Sequence, residues 1–68
     1  MAKFNLSQFK NGKAATNKLH QVVTFIVESR GKMICKVKMC NGQVESSKYN
    51  LDGSKFTEVI SDYDLMMA

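Results

Sequence analysis

The side chains able to do chemistry in this 68-residue sequence are few, and their spacing decides against most reactions. Histidine occurs once, at position 20, and cysteine twice, at positions 35 and 40. A zinc site or a hydrolytic triad needs several groups converging on one point. On an extended chain Cys35 and Cys40 lie about 16 Å apart and face opposite sides, so they do not bridge each other or share a ligand. His20 begins a separate strand, away from both. Cys40 has Lys38 as the kind of cationic neighbour that activates a thiolate, yet it reads more simply as a surface thiol. Asp62 and Asp64 have neither the further oxygen ligands of a calcium loop nor the cleft of an acid–base pair, and suit the capping of a short turn. The sequence therefore reads as a non-enzymatic protein, with no catalytic residues, no metal and no cofactor.

Cationic side chains are what remains. Lys32, Lys36 and Lys38 fall at even positions of one stretch, so on a strand they share a face, and Lys48 and Tyr49 lie on the stretch that should pair with it. Ammonium groups gathered on one face bind phosphates, and an aromatic ring beside them stacks a nucleobase. These five residues are the candidate contacts for a ligand or partner, Tyr49 only if it faces outward. Two carboxylates count against that reading, because the expected pairing sets Glu28 opposite Lys32 and Glu45 opposite Lys38; a solvated charged face is the competing interpretation. The net charge of +4 is unevenly spread: residues 1–51 hold nine basic side chains against two acidic, net +7, and residues 52–68 hold one against four, net −3. A basic body argues against mimicry of DNA.

The elements that must position these groups follow from three glycines, at 31, 42 and 53, each behind a turn-forming residue and between runs rich in Val, Ile, Phe, Tyr and Met. That is the pattern of an antiparallel meander. A three-residue loop Ser29-Arg30-Gly31 would pair Val27 with Met33, Phe25 with Cys35 and Val23 with Val37, all inward, with Thr24 opposite Lys36 outside. Asn41-Gly42 is the strongest short hairpin signal and predicts a two-residue type I′ turn. Carried on without interruption, that register puts Lys48 inside opposite Cys35 and Tyr49 outside. Either a bulge at Ser46-Ser47 restores the alternation and buries Tyr49 and Leu51, or Ile34, Tyr49 and Phe56 form an aromatic patch beside the lysines. A fourth strand is expected over residues 55–60 after a two-residue Asp52-Gly53 turn. Ser61 and Asp64 then cap a short C-terminal helical turn that lays Leu65 over one end. Residues 1–19 suggest a short strand or an extended arm ending in another Asn-Gly turn.

Sixty-eight residues make one domain, 1–68, burying only about 60% of the surface of its unfolded chain. No segment approaches the roughly 20 apolar residues that cross a bilayer, and the first residues lack the apolar run of a secretory signal. A cytoplasmic location is the expectation, and two unbridged thiols agree with it. Exposed strand edges make a homo-oligomer one way to enlarge so small a core.

Phe9-Lys10-Asn11-Gly12-Lys13-Ala14, Tyr49-Asn50-Leu51-Asp52-Gly53 and Ser61-Asp62-Tyr63-Asp64-Leu65 together resemble a class of very small proteins from tailed phages. The resemblance departs at Asn17-Lys18, where a glycine-containing turn is expected. It implies an all-β, mainly antiparallel fold, a small SH3-like, partly open barrel built on a four-stranded meander. It also implies a protein that binds and disables a host component, located in the host cytoplasm. Three mechanisms fit: sequestering an anionic ligand such as a nucleotide signal, inhibiting a host protein through an exposed sheet edge, and binding nucleic acid.

Overall fold

Two hairpin turns set the register on which everything else is built. The computed structural model describes residues 2–68. Its elements are β1 (Ala2–Lys3), α1 (Leu6–Lys10), β2 (Ala15–Thr16), β3 (Val22–Ser29), β4 (Lys32–Lys38), β5 (Val44–Asn50) and β6 (Met66–Met67). The six strands form one antiparallel sheet in the order β1-β6-β2-β3-β4-β5, curled into a half-barrel. The chain is thus the small, partly open, all-β barrel that the sequence predicts.

The first turn is shorter than expected. Arg30 and Gly31 take φ of 53° and 78°, the two positive values of a type I′ turn, and Ser29 pairs directly with Lys32. Because the twist of this turn matches that of the flanking strands, the extra residue moves out of the loop and into β3. The register slips between Phe25 and Val27, leaving Ile26 as a bulge. Val23–Val37, Thr24–Lys36 and Phe25–Cys35 pair as expected. Val27 meets Ile34 instead of Met33, and Glu28 meets Met33 instead of Lys32.

The second turn is longer than expected. Of Asn41 and Gly42 only the glycine has a positive φ, 89°. The amide of Met39 donates to the carbonyl of Gln43 at 2.8 Å and that of Gly42 to the carbonyl of Met39 at 2.9 Å, so Cys40, Asn41 and Gly42 make a three-residue loop. The Asn41 side chain selects it by accepting from the Gln43 amide at 3.0 Å, a local bond that competes with the primed turn. Val37 now faces Glu45 and Lys38 faces Val44. This one-residue difference carries down β5 and brings Tyr49 inside, opposite Met33, with no bulge at Ser46-Ser47.

The meander has three long strands, not four. After β5 the Asp52 carboxylate accepts from the amide of Ser54 at 2.9 Å and its hydroxyl at 2.6 Å, bending the chain away from the sheet. Asp64 Oδ1 takes the Lys55 amide at 3.0 Å, a donor that a fourth strand would need. Residues 55–60 close instead on a single bridge, Phe56 to Val59, around Thr57 and Glu58. Ser61 and Asp64 cap as expected: Ser61 Oγ accepts from the Tyr63 amide and Asp64 Oδ2 from the Ser61 amide, both at 3.1 Å. They close a single hydrogen-bonded turn, the Asp64 amide to the Ser61 carbonyl at 3.1 Å, in place of the helical turn expected, and the chain then extends as β6.

The N-terminal segment forms a helix where a strand or an arm was expected. Asn5 Oδ1 accepts from the Gln8 amide at 3.0 Å as the N-cap. At the other end the amides of Gly12 and Lys13 return to Phe9 and Gln8, so Asn11-Gly12 is the helix stop and not a hairpin. The helix exists to bury Phe9, whose ring meets Phe4 at 5.3 Å and Phe25 at 6.0 Å, edge to face. With Ala15, Val23, Met33, Cys35, Val37, Tyr49 and Leu65 it makes the core. Buried Asn17 does what a turn glycine was expected to do: its Oδ1 accepts from the amides of Leu19 and Gln21, and its Nδ2 donates to Gln21 Oε1.

Burial raises the Cys35 thiol from 9.0 to about 11, against a weaker pull from Lys55. It raises the Tyr49 phenol from 10.0 to about 12, aided by Cys35 and Tyr63 and opposed by hydrogen bonds with Asn17 and Ser47. Both groups stay protonated in the fold, so their contribution is complete below the unfolded values and is lost as pH climbs through the folded ones. The urea midpoint should fall progressively above about pH 9, and Tyr49→Phe, which has no proton to lose, should flatten the later part of that decline.

Two turn substitutions should act in opposite directions. A Cβ on Gly53 would stand 2.6 Å from Phe4 Cγ at a φ of +90°, so Gly53→Ala should cost roughly 2–4 kcal/mol in denaturant unfolding. Arg30→Asn puts a residue tolerant of positive φ into the first turn position and should raise stability by about 0.5–1 kcal/mol in the same measurement.

Candidate functional site

The pairing of β3, β4 and β5 defines an outer face of four rows: Ser29–Lys32–Asn50, Val27–Ile34–Lys48, Thr24–Lys36–Ser46 and Val22–Lys38–Val44. Lys32, Lys36 and Lys38 project from β4 and Lys48 from β5, all exposed. Four of the five residues that the sequence singles out are therefore brought together. The fifth is not: Tyr49 is 1% exposed and sits on the opposite side of the sheet. Its odd-numbered place in β5, fixed by the three-residue turn, points it at Met33 and removes it as a stacking platform. The apolar neighbour of the lysines is Ile34, half-buried between Val27 and Lys48.

The two carboxylates expected to neutralise this face are both turned from it by the same turns. Glu28 pairs through its side chain with Lys10 of α1, the single ion pair among the described residues. Glu45 lies in register with inward-facing Val37 and lines a small hollow of about 160 Å³ on the concave side. No outward position of the four rows carries an acid. Lysines on neighbouring strands sit diagonally about 7–8 Å apart at Cβ, and in water each such pair costs about 0.6 kcal/mol of repulsion at about 7 Å. The fold tolerates that cost; an anion laid across the face relieves it.

Arg30 extends the patch, and sequence reasoning missed it by treating it as a loop residue. The two-residue turn sets it at the end of the outer face, where it, Lys32, Lys48, Ser29 and Ile34 line a shallow depression of about 410 Å³. Lys32 Nζ is steadied there by Asn50 Oδ1 at 3.0 Å. Three cations around an aliphatic floor can hold one or two phosphate groups while apolar parts of a ligand lie on Ile34.

Four other reactive groups are occupied structurally. Lys55 Nζ donates to Ser47 Oγ and to the carbonyl of Lys48 at 3.1 Å, and stands 4.8 Å over the Tyr49 ring. The Cys35 thiol is buried and held protonated by that burial. Cys40 Sγ is directed to the carbonyls of Leu19 and His20 at 3.6 and 3.5 Å. Asp64 is spent on the amides of Lys55 and Ser61.

Among the described residues no helix is long and apolar enough to cross a membrane. Comparison with family models, with curated proteins and with solved structures finds no match to the chain in any of the three.

Proposed function

We propose that this chain is a binding protein without catalytic activity, and that it takes phosphate-bearing polyanions, nucleic acid strands first among them, on the outer face of β3, β4 and β5. The observation that carries the reading is the segregation of charge: Arg30, Lys32, Lys36, Lys38 and Lys48 share a surface from which Glu28 and Glu45 are excluded. From Lys32 to Lys38 the strip runs about 20 Å, the length of about six phosphates along one strand of B-form duplex. Ile34, Val27 and Val44 lie between the cations and suit sugar and base surfaces. With Tyr49 inside, no aromatic ring on this face stacks a base, and the contacts left to the cations are with phosphates, which carry no sequence information.

A second reading draws on the Arg30 depression, whose size and three cations suit a small phosphate ligand such as a nucleotide. In either case the resemblance to small tailed-phage proteins supports a host-directed role, in which the bound component is sequestered or disabled.

The test is fluorescence anisotropy with labelled single-stranded and duplex oligonucleotides over a salt series. With about four phosphates neutralised, single-strand affinity should drop about 50-fold between about 50 and 200 mM salt, and Lys36→Ala should lower the logarithmic salt slope by about 0.7. Affinity indifferent to salt would sink the polyanion reading. Thermal stabilisation by one nucleotide, without oligonucleotide binding, would establish the small-ligand reading in its place.

A further inference from the structure

The second unbalanced surface lies in the segment between β5 and β6. Around the Phe56–Val59 bridge the chain presents Phe56, Val59 and Ile60 to solvent, and Ile60 is 91% exposed. Exposed Glu58 and Asp62 flank them, Glu58 held at a positive φ of 67° in the turn. Three uncovered apolar side chains close together in one loop form the kind of patch that interaction sites use.

The loop meets the edge of its own outer face through Thr57, whose Oγ1 accepts from Asn50 Nδ2 at 3.4 Å beside Lys32, yet among the described residues neither Glu58 nor Asp62 makes an ion pair. Lys55 and Tyr63, on either side of it, line the concave hollow together with Tyr49 and Val37, whose side chains point inward from the sheet. The carbonyl of Asp62 is tied to the Lys18 amide at 3.1 Å and the Asp64 carboxylate to the Lys55 amide at 3.0 Å, which fixes the segment on that side. The acids of the loop and the lysines of the outer face thus form no ion pair within one chain, among the described residues.

The two surfaces fit each other in chemistry. The lysine face is not purely polar: Val22, Ile26, Val27 and Val44 are each about half exposed on it or at its bulge. It offers apolar ground rimmed by ammonium groups, and the loop offers apolar side chains rimmed by carboxylates. We propose that the loop spanning residues 56–62 of one copy docks on the outer face of β3, β4 and β5 of a second copy, head to tail. Because the two patches differ, the contact is heterologous, and each docked pair leaves one free loop and one free face for further addition. A polyanion competes for the same ammonium groups, so self-association and polyanion binding exclude each other on a given copy. The proposal stands apart from the polyanion reading, because the loop has no part in that reading.

Sedimentation velocity on the full chain tests it with two surface variants, each checked for fold by circular dichroism. The face variant carries Lys36→Glu and Lys38→Glu; the loop variant carries Val59→Ser and Ile60→Ser. The wild type should gain mass with protein concentration and lose it again as salt is raised. Each variant alone should self-associate about tenfold more weakly or worse. An equimolar mixture should form a dimer and stop there, since only one functional loop and one functional face remain to meet. A wild type that stays monomeric throughout, a variant that associates like the wild type, or a mixture with no dimer would each overturn the proposal. At protein concentrations too low for self-association, oligonucleotide binding by the loop variant should equal that of the wild type, which keeps the fate of this proposal separate from that of polyanion binding.

Discussion

A β-strand places successive side chains on opposite faces, so the number of residues in a hairpin turn decides, by odd or even count, which side of the sheet every later residue occupies. In this protein that parity is the constraint from which the rest follows. The turn at Arg30-Gly31 has two residues and the turn at Cys40-Asn41-Gly42 has three. Exchanging those lengths would put Tyr49 into water and Lys48 into the core. Because a domain this small has little stability to spare, burying a tyrosine and keeping an ammonium out is sufficient reason for the observed assignment. The same count that fills the core turns Glu45 inward, and the bulge at Ile26, required by the short first turn, turns Glu28 toward Lys10. Core packing and surface electrostatics are therefore set by one variable.

How far the sequence disclosed this depends on whether the signal was periodic or local. The alternation through Val23, Phe25, Met33, Cys35 and Val37 named the core face of β3 and β4, and the lysines at even positions of β4 named their shared surface. Both readings survive a mistake about loop length, because residues near the middle of a strand pair are held by several neighbours. Residues beyond a turn are not. Exchanging the two turn lengths leaves the identity of the lysine face intact but shifts both carboxylates, and it buries Tyr49 only with the help of a bulge at Ser46-Ser47 that the observed three-residue turn makes unnecessary. Asn41 is ambiguous in sequence: its tolerance of positive φ argues for a primed turn, and its short side chain argues for a bond to the next amides. Only the second is realised, at Gln43.

The missing fourth strand and the unforeseen helix have a similar origin in side-chain bonds to the backbone. Residues 55–60 have strand-like composition, yet Asp52 and Asp64 claim the amides of Ser54 and Lys55 before any ladder can form. Residues 5–12 look like strand and turn until Asn5 is seen as an N-cap and Gly12 as the residue beyond a helix end. A helix this short is unstable by itself and is retained because Phe9 packs between Phe4 and Phe25. That partnership joins three segments distant in sequence, and no local pattern discloses it. Asn17, working where a glycine was expected, shows the reverse: a buried amide bonded through both its oxygen and its nitrogen can organise a turn that includes a positive φ at His20.

A surface evolved only for solubility mixes both signs of charge. The acids needed for such mixing are present in this chain, and the folding pattern uses them elsewhere: Glu28 on α1, Glu45 over the concave hollow, Asp52 and Asp64 in backbone capping. Lysine repulsion on the outer face is thus left uncompensated where a single glutamate at Thr24 or Ser46, both beside Lys36, would relieve it. Arg30 sharpens the point. It occupies a φ of 53° that asparagine or glycine would hold with less strain, and it adds a fifth positive charge to a face that already has four. A residue that weakens both its turn and its electrostatic surroundings is better explained by what it contacts than by what it stabilises. A negative group set between Arg30, Lys32 and Lys48 would offset both costs.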